Sequence, residues 1–193
     1  TFSPGTGYTA CLSCPIGKFA GTTGKTACTQ CTNGQVAVTT GRSTCDNCPQ
    51  GTFSQSGLVC TACPEGHYAQ GFGSSICLPC AVGKYSLGNT AFCTQCAAGT
   101  FQASTGANTC DTVNAGSYTL IGASAQISCT VGKYAASSGL SACNDCAAGK
   151  FAGSVGTTQC SQCPPGKFGA TSGMSACTTC PAGTVTGTPG NTV

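Results

Sequence analysis

Twenty cysteines stand among 193 residues, nearly all in Cys-x-x-Cys pairs: Cys11 and Cys14, Cys28 and Cys31, Cys45 and Cys48, through to Cys177 and Cys180. Thiols at this density form structural disulfides or zinc centres, and the spacing has to choose between them. The last cysteine of one pair usually lies 14 residues before the first of the next, so the pattern repeats every 17 residues. Three chemistries fit that spacing. Two pairs could wrap one zinc ion, each pair could close on itself as in redox motifs, or each pair could bridge to the next.

One irregular unit separates them. Near residue 110 the chain reads Cys110-Asp-Thr-Val113 and then Gln126-Ile-Ser-Cys129, so two expected cysteines are absent together. If successive pairs are bridged, positions 113 and 126 are partners and one bridge is lost cleanly. Bonds within each Cys-x-x-Cys would strand Cys110 and Cys129 in mid-chain. Four-cysteine zinc sites would also strand thiols, and would favour a 34-residue period. The expected bridges are therefore Cys14–Cys28, Cys31–Cys45, Cys48–Cys60, Cys63–Cys77, Cys80–Cys93, Cys96–Cys110, Cys129–Cys143, Cys146–Cys160 and Cys163–Cys177. That scheme assigns no bridge to Cys11 or Cys180. It requires an oxidising compartment, so the expected location is extracellular or on a cell surface.

The other candidate groups converge on nothing. His67 is the single histidine, with Glu65 its nearest acid, and it replaces the Lys or Thr of sister units. A catalytic histidine needs a nucleophile and an orienting acid beside it. Asp46, Asp111 and Asp145 each stand beside a cysteine in different units, too far apart for a local carboxylate pair or calcium cage. The glycine-rich stretches lack the lysine-serine context of a phosphate loop. No enzyme activity, metal or cofactor is expected.

Eleven charged side chains give a net charge of +3 without any cluster, which argues against nucleic acid as a partner. No apolar run approaches the ~20 residues that span a bilayer. Leu, Ile, Val and Phe number only 27, too few for one conventional core. With so little charge to keep copies apart, the chain is expected either to self-associate or to carry a coat of O-linked glycans on its loop Thr and Ser residues. Asn33, Asn89, Asn114 and Asn191 all fail the N-glycosylation sequon.

The elements that must hold the cysteines can be read from what recurs with them. Cys14-Pro-Ile-Gly-Lys-Phe19 returns as Cys48-Pro-Gln-Gly-Thr-Phe53, Cys63-Pro-Glu-Gly-His-Tyr68 and Cys163-Pro-Pro-Gly-Lys-Phe168, with Val36 and Val185 in the aromatic slot of two other units. Proline suits the second position of a tight turn that glycine closes. A later glycine, such as Gly24, Gly41 or Gly73, suits a hairpin tip with positive φ. The aromatic is expected to pack on the disulfide and the neighbouring unit. Seventeen residues cost about 25 kcal/mol of conformational entropy, and one bridge returns about 3, so no unit folds alone. The expected fold is a disulfide-rich chain of short, irregular β-hairpins with almost no helix, about eleven units stacked as an elongated, solenoid-like rod. Residues 1–112 and 127–193 form its regular arrays. Residues 113–126, lacking their bridge, form a joint.

The Cys-Pro-x-Gly-[Lys/Thr]-[Phe/Tyr] unit resembles the cysteine-rich modules of tumour-necrosis-factor receptors, and still more the ephrin-receptor-like repeats. Similar arrays occur in protozoan surface coats, including ciliate immobilisation antigens. The resemblance covers essentially the whole chain and implies that the cysteine of Cys-Pro-x-Gly bonds the one about fourteen residues on. The function expected is structural: part of an extracellular coat, stalk or filament. The alternative is a receptor or adhesin ectodomain that binds a protein along its side. The units running into Thr1 and out of Val193 also align with the repeat, which predicts the array to continue in both directions; the competing expectation links Cys180 to Cys11 of another copy.

Overall fold

Each unit turns twice, and glycine with positive φ makes both turns. In the computed structural model, Lys18 donates its amide to the Pro15 carbonyl at 3.2 Å, closing a turn in which Gly17 is third with φ 77°. This is the geometry of a type II turn, which demands positive φ at that position. Proline is therefore the first residue of the turn, one place earlier than the sequence suggests. Its carbonyl accepts the closing bond, and Thr32, Ala81, Asn114 and Ala147 serve equally well in other units. The second turn carries Gly24, Gly41, Gly73 and their equivalents, with φ between 71° and 78° where the loop is of standard length.

The structure describes residues 1–5, 10–184 and 187–192; Val185 and Val193 lie outside that set. The chain divides into two compact units, Thr1–Thr94 with Thr105–Thr109, and Gln95–Ser104 with Cys110–Val193. Within the first, β1 (Lys18–Phe19) pairs with β2 (Thr29–Gln30), β3 (Gln35–Val36) with β4 (Asp46–Asn47), β5 (Thr52–Phe53) with β6 (Thr61–Ala62), and β7 (His67–Tyr68) with β8 (Leu78–Pro79). Then come β9 (Lys84–Tyr85) and β10 (Thr94–Gln95), the latter at the division.

Within the second unit, β11 (Thr100–Phe101) pairs with β12 (Asp111–Thr112), and β13 (Ser117–Tyr118) with β14 (Ile127–Ser128). The pattern continues with β15 (Lys133–Tyr134) and β16 (Asn144–Asp145), β17 (Lys150–Phe151) and β18 (Ser161–Gln162), and β19 (Lys167–Phe168) and β20 (Thr178–Thr179). Every pair is antiparallel. No helix occurs among the described residues, and hence none that could cross a membrane. Two-residue strands are far too short to be stable alone. Disulfides and stacking hold them.

Candidate functional site

The chemistry of this chain is concentrated in its bridges. The structure joins Cys14 to Cys28, Cys31 to Cys45, Cys48 to Cys60, Cys63 to Cys77 and Cys80 to Cys93. It further joins Cys96 to Cys110, Cys129 to Cys143, Cys146 to Cys160 and Cys163 to Cys177. The Cα–Cα separations run from 5.5 to 5.9 Å, the ordinary disulfide range. The first cysteine of each bridge is buried, most of them fully, while the second is half-buried. Cys11 is exposed and takes part in no bridge. Cys180 is half-buried and donates its amide to the Gly166 carbonyl at 3.0 Å.

The repeating aromatics are not the centre of the core. Phe19, Phe53, Tyr68, Tyr134 and Phe151 are each half-exposed. The residue after the aromatic is the buried one: Ala20, Ala37, Ser54, Ala69, Ser86, Gln102, Thr119, Ala135 and Ala152 are all exposed by 8% or less. The sequence expectation of an aromatic core misses that slot, although its signal is there. It holds a small side chain in nearly every unit, with Gln102 the one long exception.

Smallness matters because this residue bonds in both directions. In the first unit, Ala37 accepts the Gly17 amide at 2.8 Å and donates its own to the Gly57 carbonyl at 3.0 Å. Gly41 reaches back to the Cys14 carbonyl at 2.8 Å. In the second, Ala135 accepts from Gly116 and donates to Thr157, and Gly156 donates to Cys129. A regular junction such as that between the Cys14 and Cys31 repeats thus has three backbone hydrogen bonds, Gly17 to Ala37, Ala20 to Arg42 and Gly41 to Cys14, beside a bridge where the lower dielectric strengthens them. These bonds join adjacent repeats, and the Gly34 turn also packs against Gly73 in the repeat beyond. The nearest-neighbour stacking usual in repeat proteins is exceeded here.

The unit without a bridge keeps the same framework. Val113 fills the buried cysteine slot with 0% exposure, and accepts the Gly139 amide at 2.9 Å. Across the missing bond, the Asn114 amide donates to the Gln126 Oε1 at 3.1 Å. β13 and β14 hold the usual register, Ser117 opposite Ser128 and Tyr118 opposite Ile127. Valine is close to cysteine in size and apolar, so it packs where sulfur would sit.

His67 and the acids are dispersed. The His67 Nδ1–H donates to the Glu65 carbonyl at 3.1 Å within its own turn. The Glu65 carboxylate instead accepts from the Asn108 amide at 2.7 Å, so the two do not form an acid–base pair. Asp46 is paired with Arg42, and Asp145 with Lys133 at 2.6 Å, both on exposed strands where screening leaves such pairs little weight. Asp111 sits on β12 in a third repeat. No group of three metal-ligating side chains comes together among the described residues.

The chain is a tandem cysteine-rich repeat protein. No curated protein matches it. The family whose model matches is the one described as tyrosine-protein kinase ephrin type A/B receptor-like, over residues 51–86 and 149–192, and over those two stretches the chain is similar to that cysteine-rich repeat.

Proposed function

We propose that this protein is an extracellular structural scaffold, a disulfide-laddered array forming part of a cell-surface coat, stalk or filament. The observation that carries this reading is the junction. Bridges and backbone hydrogen bonds recur in nearly every repeat, and this recurring geometry is spent on joining units to one another. Nine disulfides belong in an oxidising environment, and the similarity to an ephrin-receptor-like module agrees with an extracellular place. The low charge and many exposed Thr and Ser residues suit either self-association or a coat of O-linked sugar. Electron microscopy of the native material is the test: ordered coats or filaments are expected, and dispersed single particles at high concentration would overturn the scaffold reading.

A receptor or adhesin role is the second reading, favoured by the receptor-like family match. Binding sites on repeat proteins break the repeat symmetry with exposed aromatics. Phe72 and Phe92, exposed by 70% and 57%, do so in adjacent repeats, outside the recurring aromatic slot.

A further inference from the structure

A shallow groove recurs where one repeat stacks on the next, between the aromatic of the first and the bridge of the second. In the second unit one groove of about 260 Å³ is lined by Tyr118, Lys133, Ala142 and Cys143. The following one, about 280 Å³, has Tyr134, Lys150, Gln159 and Cys160 in the same places. Each presents one aromatic ring. In the first, Lys133 is paired with Asp145 at 2.6 Å.

The groove between the Cys63 and Cys80 repeats differs from both in carrying a second ring, and from the first in a lysine without an ion pair among the described residues, which it shares with the Lys150 groove. It measures about 310 Å³ and is lined by Tyr68, Gln70, Ala81, Lys84, Phe92 and Cys93. Phe92 supplies a second ring at a slot where other repeats carry no aromatic: Ala27, Thr44, Val59, Ile76, Thr109, Ala142, Gln159 and Ala176. Its loop is held by the Thr90 hydroxyl, which donates to the Phe92 carbonyl at 2.9 Å. Lys84 makes no ion pair among the described residues.

We propose that this groove binds a six-membered sugar ring bearing a carboxylate, such as a uronic acid unit of a glycan. Two aromatic rings lining one groove supply electron-rich faces that suit the weakly positive C–H face of a pyranose. Gln70 can donate to and accept from hydroxyls. An all-apolar occupant would strip water from Gln70 and the Lys84 ammonium without replacing its hydrogen bonds, which is costly. A neutral sugar would leave Lys84 uncompensated, whereas a carboxylate meets it with a charge-assisted bond. The volume is at the lower end of small-molecule sites, right for one ring with its chain continuing into solvent. This inference is independent of the scaffold reading.

The test titrates the whole 15N-labelled chain with sodium D-glucuronate, D-glucose and 4-phenylbutyrate in separate NMR series. Saturable shifts with glucuronate are expected at Tyr68, Gln70, Lys84 and Phe92, with glucose and phenylbutyrate clearly weaker. F92T and K84T place at those slots the residues that Thr44 and Thr52 supply in sister repeats, so the hairpins are expected to persist. Each should weaken glucuronate binding about tenfold, the loss of one ring or one charged bond. No saturable shift in the unsubstituted chain would overturn the proposal without any variant. A response to phenylbutyrate exceeding that to glucuronate would reassign the groove to an apolar, carboxylate-ended peptide. Equal shifts at Tyr134 and Lys150 would also overturn it, since the second ring would then confer nothing.

Discussion

The carbonyl oxygen of Gly73 occupies the space that a Cβ on Gly34 would need, only 1.9 Å from its ideal position. The two glycines are in repeats that are not adjacent along the chain. The same interlock recurs with Gly66 and Gly106, Gly116 and Gly156, and Gly132 and Gly173. The turn of one repeat is thus seated directly against the hairpin tip of the repeat after next, with no room for a side chain.

That relationship separates two glycine substitutions. At Gly24, φ is 77° but a Cβ would meet nothing within 4 Å, so G24A should cost only the left-handed backbone penalty, about 1–2 kcal/mol. At Gly34, φ is 83° and the carbonyl also blocks the Cβ, so G34A must displace a neighbouring repeat as well. Its loss should be at least about twice as large, as expected for strain combined with overpacking. Denaturant unfolding of the two variants checks this, and equal losses would refute the interlock.

The missing bridge should be restorable. Positions 113 and 126 face each other across a hairpin in standard register, already joined through Asn114 and the Gln126 side chain. V113C combined with Q126C should oxidise to a tenth disulfide and add about 3 kcal/mol, the value for a loop of this length. Non-reducing peptide mapping should recover one cross-linked peptide containing both positions. Two alkylatable thiols at those sites would show that the unit has relaxed away from its neighbours.

The converse exchange tests whether stacking alone can hold a repeat. Replacing Cys146 with Val and Cys160 with Gln imitates the Val113 unit inside a regular stretch. The Lys150–Phe151 and Ser161–Gln162 hairpin should persist, at a cost of roughly 3 kcal/mol. Amide exchange at Gly149, which donates to the Gly169 carbonyl at 2.9 Å, reports the outcome. Full exposure of that amide would mean the bridge is indispensable.

Val113 itself should behave as a core residue. With 0% exposure, V113A removes two buried methyl groups and leaves a void, costing roughly 2 kcal/mol. Val131, in the next repeat, is 45% exposed, and V131A should cost clearly less. Thermal unfolding of the pair measures the difference.

Much of the architecture can be read from the chain alone, because period and turn chemistry are local. Seventeen-residue spacing, a cysteine at each end of the loop and glycine at both turns suffice to specify short hairpins without helix. The joint absence of cysteine at 113 and 126 even distinguishes among pairings before any coordinates are considered. Proline sits one residue earlier in the turn than its type suggests, since composition alone does not reveal which carbonyl accepts the closing bond. The buried slot went unread for a related reason. Phe and Tyr dominate any hydrophobic pattern, but a residue as small as Ala37 is the one that lets two backbones approach on either side. Contacts between a repeat and the next but one depend on how far each unit rotates relative to the last. That rotation is set by packing, so only the tertiary structure could bring Gly34 against Gly73, or gather Phe92 and Tyr68 around one groove.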